Sequence, residues 1–168
     1  MEQRAFSPWS HTGEVRPRVL IEDPDRALQV SEFRLFEEAG LDVALCQGPG
    51  PSDPCPLVEE GCCRLADEAD VVLIGPGMAP CCAEVAAAHQ QTRPDRPVVV
   101  AVRRHDGEGP PPGCVPLPVP ASVGGQIRAV WRALEQPVAR REPAPPTTPP
   151  SSAAESATLA RLVDLLGW

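Results

Sequence analysis

Asp70-Val71-Val72-Leu73-Ile74-Gly75-Pro76-Gly77-Met78 is the stretch on which the fold turns. Four consecutive apolar residues follow an acidic start and stop at Gly-Pro-Gly. A run this short, apolar throughout rather than alternating, reads as a strand buried on both faces. The same kind of run recurs on either side. Arg18-Val19-Leu20-Ile21-Glu22-Asp23 reads as the first strand, Leu41–Cys46 as the second and Pro97–Val102 as the fourth. Val115-Pro116-Leu117-Pro118-Val119 is the fifth, and its prolines confine it to a sheet edge because they cannot donate to a ladder.

Helical stretches lie between these runs. From Arg26 to Ala39, the residues Leu28, Phe33, Leu35, Phe36 and Ala39 set out an apolar stripe, with Glu32 beside it. Asp23 or Asp25 is its N-cap, Pro24 suits its first turn, and Gly40 ends it. Leu57–Ala69 reads as a short irregular helix and Cys81–Gln91 as an alanine-rich one. The last helix of the domain is Val123–Leu134, capped by Ser122, with Ile127, Val130, Trp131 and Leu134 inward. The three consecutive prolines in Arg103–Gly113 exclude a regular helix there. Strand and helix therefore alternate as in a doubly wound α/β protein: a five-stranded parallel sheet, covered on both faces, of the flavodoxin-like class.

Organisation along the chain follows from composition. Residues 1–17 are polar, broken by proline and glycine, and read as a flexible arm in which Phe6 and Trp9 are the apolar side chains. Residues 18–136 hold the α/β domain, and residues 137–152 form a Pro-rich linker. In residues 153–168 a helical pattern returns: Leu159, Leu162, Val163 and Leu166 fall at i, i+3, i+4 and i+7, with Trp168 at the end. So short a helix is marginal alone and needs a surface. That surface is a partner protein, its own domain or a second copy in a homodimer, and the reading adopted is a protein-docking helix.

The formal net charge is −8, all 15 basic residues are arginine, and lysine is absent. Such a chain repels phosphate backbones, and Arg103-Arg104 and Arg140-Arg141 are short solvated pairs, so nucleic acid is excluded as a partner. His89 and His105 read as surface residues. With no signal sequence and no apolar run of spanning length, no membrane association is expected and the location is cytoplasmic. The arginine-, alanine- and proline-rich balance is that of high-GC, actinobacterial coding.

From Arg18 to Leu134 the chain resembles a response-regulator receiver domain. VLIEDPD is similar to the receiver's first strand and its acidic cluster, and FRLFEEAGLDV to its first helix and second strand. DVVLIGPGM is similar to the third strand, which usually reads D-x-V-x-x-D-x-x-M, and VPLPVPAS to the fifth strand with the Lys-Pro that ends it. The resemblance implies a signalling role, but the residues of its chemistry are missing. The phosphoacceptor position is Gly75, which has no carboxylate to act as nucleophile. The phosphoryl-pairing lysine falls near Leu117, and the Ser/Thr switch near Val102. The helix between strands four and five, part of the usual output surface, is replaced by the proline loop. Of the acids, Glu22, Asp23 and Asp25 remain. Carboxylates at a strand end can hold Mg²⁺, but capping of the next helix accounts for them better. Gly75-Pro76-Gly77 reads as a tight turn rather than an anion cradle.

Seven cysteines in a reducing compartment are thiols or ligands rather than disulfides. Cys46, Cys55, Cys62, Cys63, Cys81 and Cys82 lie in connections leading to or from the carboxyl edge of the sheet, where doubly wound proteins bind ligands. Three or four thiolates gathered there can hold zinc or an iron–sulfur cluster, and a helix N-terminus lowers the pKa of Cys81 or Cys82 for redox sensing. Against this, C-x8-C-x6-C-C is no standard ligand spacing, and free cysteine packs as a small hydrophobe. The leading expectation is therefore a non-enzymatic regulatory or adaptor protein without cofactor: a receiver-like domain incapable of phosphorylation, with a docking helix. The alternative is a cysteine-based metal or redox sensor on the same fold.

Overall fold

The apolar runs assemble into one five-stranded sheet. The computed structural model describes Trp9 and residues 15–50, 53–79, 81–103 and 110–136. Its strands are β1 (Arg18–Glu22), β2 (Asp42–Cys46), β3 (Val71–Ile74), β4 (Val98–Arg103) and β5 (Val115–Val119). All neighbours pair in parallel, in the order β2-β1-β3-β4-β5. Every residue of β3 is buried, as its unbroken apolar run requires. β5 lies at the edge, where prolines at every second position do least harm.

Helices α1 (Arg26–Glu38) and α5 (Val123–Glu135) cover one face, over Val19, Ile21, Leu73 and Val99. The other face carries α2 (Pro56–Glu60), α3 (Arg64–Glu68) and α4 (Cys82–Thr92), over Leu20, Ala44, Val72 and Val100. The two faces are capped differently. The Asp25 carboxylate accepts from the amides of Ala27 and Leu28 at 2.9 and 3.2 Å, and Ser122 Oγ accepts from Gly125 N at 3.2 Å. At α2, α3 and α4 the N-cap is a cysteine, Cys55, Cys63 and Cys81, and none makes a side-chain cap bond.

Several local expectations change. Pro24 precedes the Asp25 cap and lies outside the first turn of α1. The inward face of α1 is Gln29, Glu32 and Phe36, whereas Leu28 and Leu35 are each 43% exposed. The stripe rotates because Gln29 donates to the Cys46 carbonyl at 2.7 Å and Glu32 accepts from Gln126 of α5 at 2.9 Å, so both polar side chains have partners inside. The single helix expected over 57–69 is two single turns, separated where Gly61 takes φ +68° as the C-cap of α2.

These truncated helices leave apolar surface over β1 and β2 that Trp9 fills. Trp9 is 2% exposed, in one cluster with Leu20, Ala44 and Leu57, with the Arg18 guanidinium 5.6 Å from its ring centroid. Trp9 is thus part of the core and not of a free arm. The linker 137–152 and the segment 153–168, with Leu159, Leu162, Val163, Leu166 and Trp168, lie outside the described residues. Among the described residues, no helix is long and apolar enough to cross a membrane. Trp9→Ala is expected to lower stability by about 3 kcal/mol in urea denaturation, and a loss below about 0.5 kcal/mol contradicts its place in the core.

Candidate functional site at the carboxyl edge of the sheet

β1 ends in two acids, and the pleat sends them apart. Glu22 turns under the sheet towards α4. Its Oε2 lies 3.1 Å from His89 Nε2, and His89 Nδ1 lies 2.9 Å from Arg96 Nη2. The second terminal nitrogen of Arg96, Nη1, donates to the Ala66 carbonyl of α3. Arginine only donates, so Nδ1 accepts and His89 carries its proton on Nε2, towards Glu22. Burial pushes the Arg96 guanidinium below its ordinary pKa. His89, 0% exposed, is therefore a core residue and not the surface residue its sequence suggests. The signal was available: His89 follows Val85 by four positions on the inward face of α4.

Asp23 sits above the edge, 2% exposed, and its carboxylate is fully engaged by backbone. Oδ1 accepts from Asp25 N at 2.8 Å and Oδ2 from Gly77 N at 3.2 Å. Its own amide donates to the Cys46 carbonyl at 3.0 Å. Asp23 thereby ties the loop after β1 to the ends of β2 and β3. The cost falls on the neighbouring positions. A Cβ at Gly75 would meet the Asp23 carboxylate, 2.8 Å from its Cγ, and a Cβ at Gly77 would lie 2.5 Å from Asp23 Oδ1. Gly75-Pro76-Gly77 is thus a tight turn, with the single 3₁₀ turn Pro76–Met78, packed against a carboxylate.

The three acids do not form one site. Glu22 is spent on His89, Asp23 on two amides, and Asp25 on the cap of α1. They do not fit a divalent cation, which needs carboxylate oxygens free and converging. Val119 ends β5 and is joined to Pro120 by a cis peptide. Leu117 is buried within the strand, in the cluster under α1 and α5. Val102 is the penultimate residue of β4 and half-buried.

The cysteines gather on the α2–α4 side without converging. Cys55 is buried, Cys46, Cys63, Cys81 and Cys82 are half-buried and pack on the same cluster, and Cys62 is exposed. Among the described residues, no three His, Cys, Asp or Glu side chains form a group able to hold a metal. The expected activation of Cys81 and Cys82 fails: burial, first of all, raises both thiols. The neighbouring charges add to it, Glu84 and then Glu22 at Cys81 and Cys81 and then Glu22 at Cys82, and Cys81 Sγ donates to the Met78 carbonyl at 3.5 Å instead of capping the helix. Burial and then the Glu22 carboxylate push Cys46 up to about 12. A shallow cleft of about 510 Å³ opens beside this patch, walled by Pro54, Cys55, Val58, Glu59 and Glu84.

No protein-family model matches the chain. No curated protein matches it either. Solved structures resemble it in fold. A response regulator receiver protein from Sinorhizobium medicae has a TM-score of 0.51 at 17% identity, covering 71% of this chain and 95% of that one. A receiver domain protein from Clostridium thermocellum gives 0.52 at 16%, covering 71% and 94%. A CheY-like receiver domain protein from Methanospirillum hungatei gives 0.51 at 14%, covering 72% and 95%. The fold is therefore receiver-like, and at these identities the likeness is one of fold alone.

Two predictions follow from the geometry. Gly75→Ala is expected to cost about 2 kcal/mol by overpacking against Asp23. In an Asp23→Ala background the same change costs less than about 0.5 kcal/mol, and strictly additive losses refute the contact. In alkylation followed by peptide mass mapping at pH 8, Cys62 reacts first and Cys46 last; early labelling of Cys46 contradicts its raised pKa.

Proposed function

We propose that this chain is a non-enzymatic regulatory or adaptor protein whose receiver-like domain does not take up phosphate. One observation carries the reading: the space a side chain at Gly75 would occupy is filled by the Asp23 carboxylate, itself held by Gly77 and Asp25 amides. The position lacks a nucleophile, and a longer side chain there would have to displace Asp23. The absence of lysine from the chain supports the same reading. So do the three acids, each committed to a separate task.

The domain acts instead through protein contact, with residues 153–168 as the docking element that lays Leu159, Leu162, Val163 and Leu166, with Trp168, into a partner's groove. It works in the cytoplasm, without nucleic acid, membrane, metal or cluster. Incubation of the full chain with acetyl phosphate and Mg²⁺, followed by intact-mass measurement, is expected to leave it unmodified. A stoichiometric, hydroxylamine-labile phosphoryl adduct overturns the reading.

A further inference from the structure

A parallel sheet requires cover on both faces, and among the described residues one corner shows none. Leu117 of β5 is buried on the α1 and α5 side. Pro116 and Pro118, one step out of phase, point to the opposite side and are exposed. They stand in register with Val100 and Val102 of β4, of which Val102 is only half-buried. A right-handed crossover from β4 to β5 runs on the α4 side, where such a sheet normally gains a helix. The described part of this connection, residues 110–114, contains none. Its turn leans on α4, with Gln90 donating to the Pro112 carbonyl at 2.8 Å and to Cys114 Sγ at 3.3 Å. That contact is at the start of β5 and leaves Pro116 and Pro118 open.

We infer that this exposed face, formed by Pro116, Pro118 and the half-buried Val102, is covered in the free chain by its own C-terminal segment, residues 153–168. This rests on the reading of that segment as an amphipathic docking helix. Its apolar positions Leu159, Leu162, Val163 and Leu166 form one stripe, the width of face that a helix needs to lie on a sheet. The tether is sufficient. α5 ends at Glu135, and residues 137–152 extend up to about 50 Å, against the ~20 Å length of α5 that separates the two ends of the sheet. The outer edge of β5 does not compete for the role. Pro116 and Pro118 bring no amide to it, so a partner strand finds no continuous ladder and a helix on the face remains. A partner that takes the tail uncovers the face, so the same segment couples partner binding to exposure of this surface.

Hydrogen exchange on the full chain, read by mass spectrometry, tests this. Amides of residues 153–168 are expected to exchange at least about tenfold more slowly than in an unfolded chain, and to lose that protection in Pro118→Glu while β1 and β3 are unchanged. Pro118 is exposed, so the substitution leaves the core intact. In the reciprocal variant, Leu162→Asp with Leu166→Asp, β5 exchanges faster. Protection that falls on tenfold dilution assigns the face to a second copy and overturns the inference. A tail protected equally in wild type and Pro118→Glu overturns the site but leaves the helix reading standing. A tail unprotected in the wild type overturns both the cover and the premise of a helix folded on this domain.

Discussion

A carboxylate taken out of water must find hydrogen-bond donors, and Asp23 finds them in two backbone amides from different loops. Each such charge-assisted bond is worth about 1.5–3 kcal/mol, so the arrangement is firmly held. Much of the carboxyl edge depends on it. The loop after β1 is pinned to the end of β2 through the Asp23 amide and to the turn after β3 through Gly77. A Cβ at Gly75 or Gly77 would meet the Asp23 carboxylate, so either can be replaced only if that carboxylate shifts. An edge that leaves receptive space in other doubly wound proteins is here occupied by the protein's own side chain.

The two sides of the sheet are built on different terms. On the α1 and α5 side, both helices run 13 residues, have side-chain caps and share the Glu32–Gln126 bond. On the other side, helices of one turn and cysteine N-caps leave gaps. Trp9 fills the gap over β1 and β2, and the buried Glu22–His89–Arg96 chain joins β1 to α4 and α3. The second side thus has one full-length helix, α4, and is completed by single-turn helices and long-range side chains. Cys46, Cys81 and Cys82 belong to that seal: they are small and adaptable, and burial raises each of them.

What the sequence made legible was local. Unbroken apolar runs identified the strands, the prolines placed β5 at an edge, and Ser122 marked the start of α5. Gly75 could be read as lacking a nucleophile. What filled its space could not, because the choice of Asp25 as cap and Asp23 as tie is made by two loops 54 residues apart. The relay through His89 spans 67 residues and has no local signature. Leu28 and Leu35 misled for a similar reason: Gln29 and Glu32 are polar by type, yet distant partners satisfy them inside. The thiols of Cys81 and Cys82 misled because their burial, which raises them, is set by packing that the local sequence does not reveal.

The central claim is that Asp23 is held by the backbone amides of Asp25 and Gly77. Its most direct test is a Mg²⁺ titration followed by the amide resonances of Gly77 and Asp25, whose protons lie on the Asp23 oxygens. The account predicts that both stay in place up to millimolar Mg²⁺ concentrations. A saturable shift of both, with Asp23 released to the ion, would contradict it and reopen this edge as a working site.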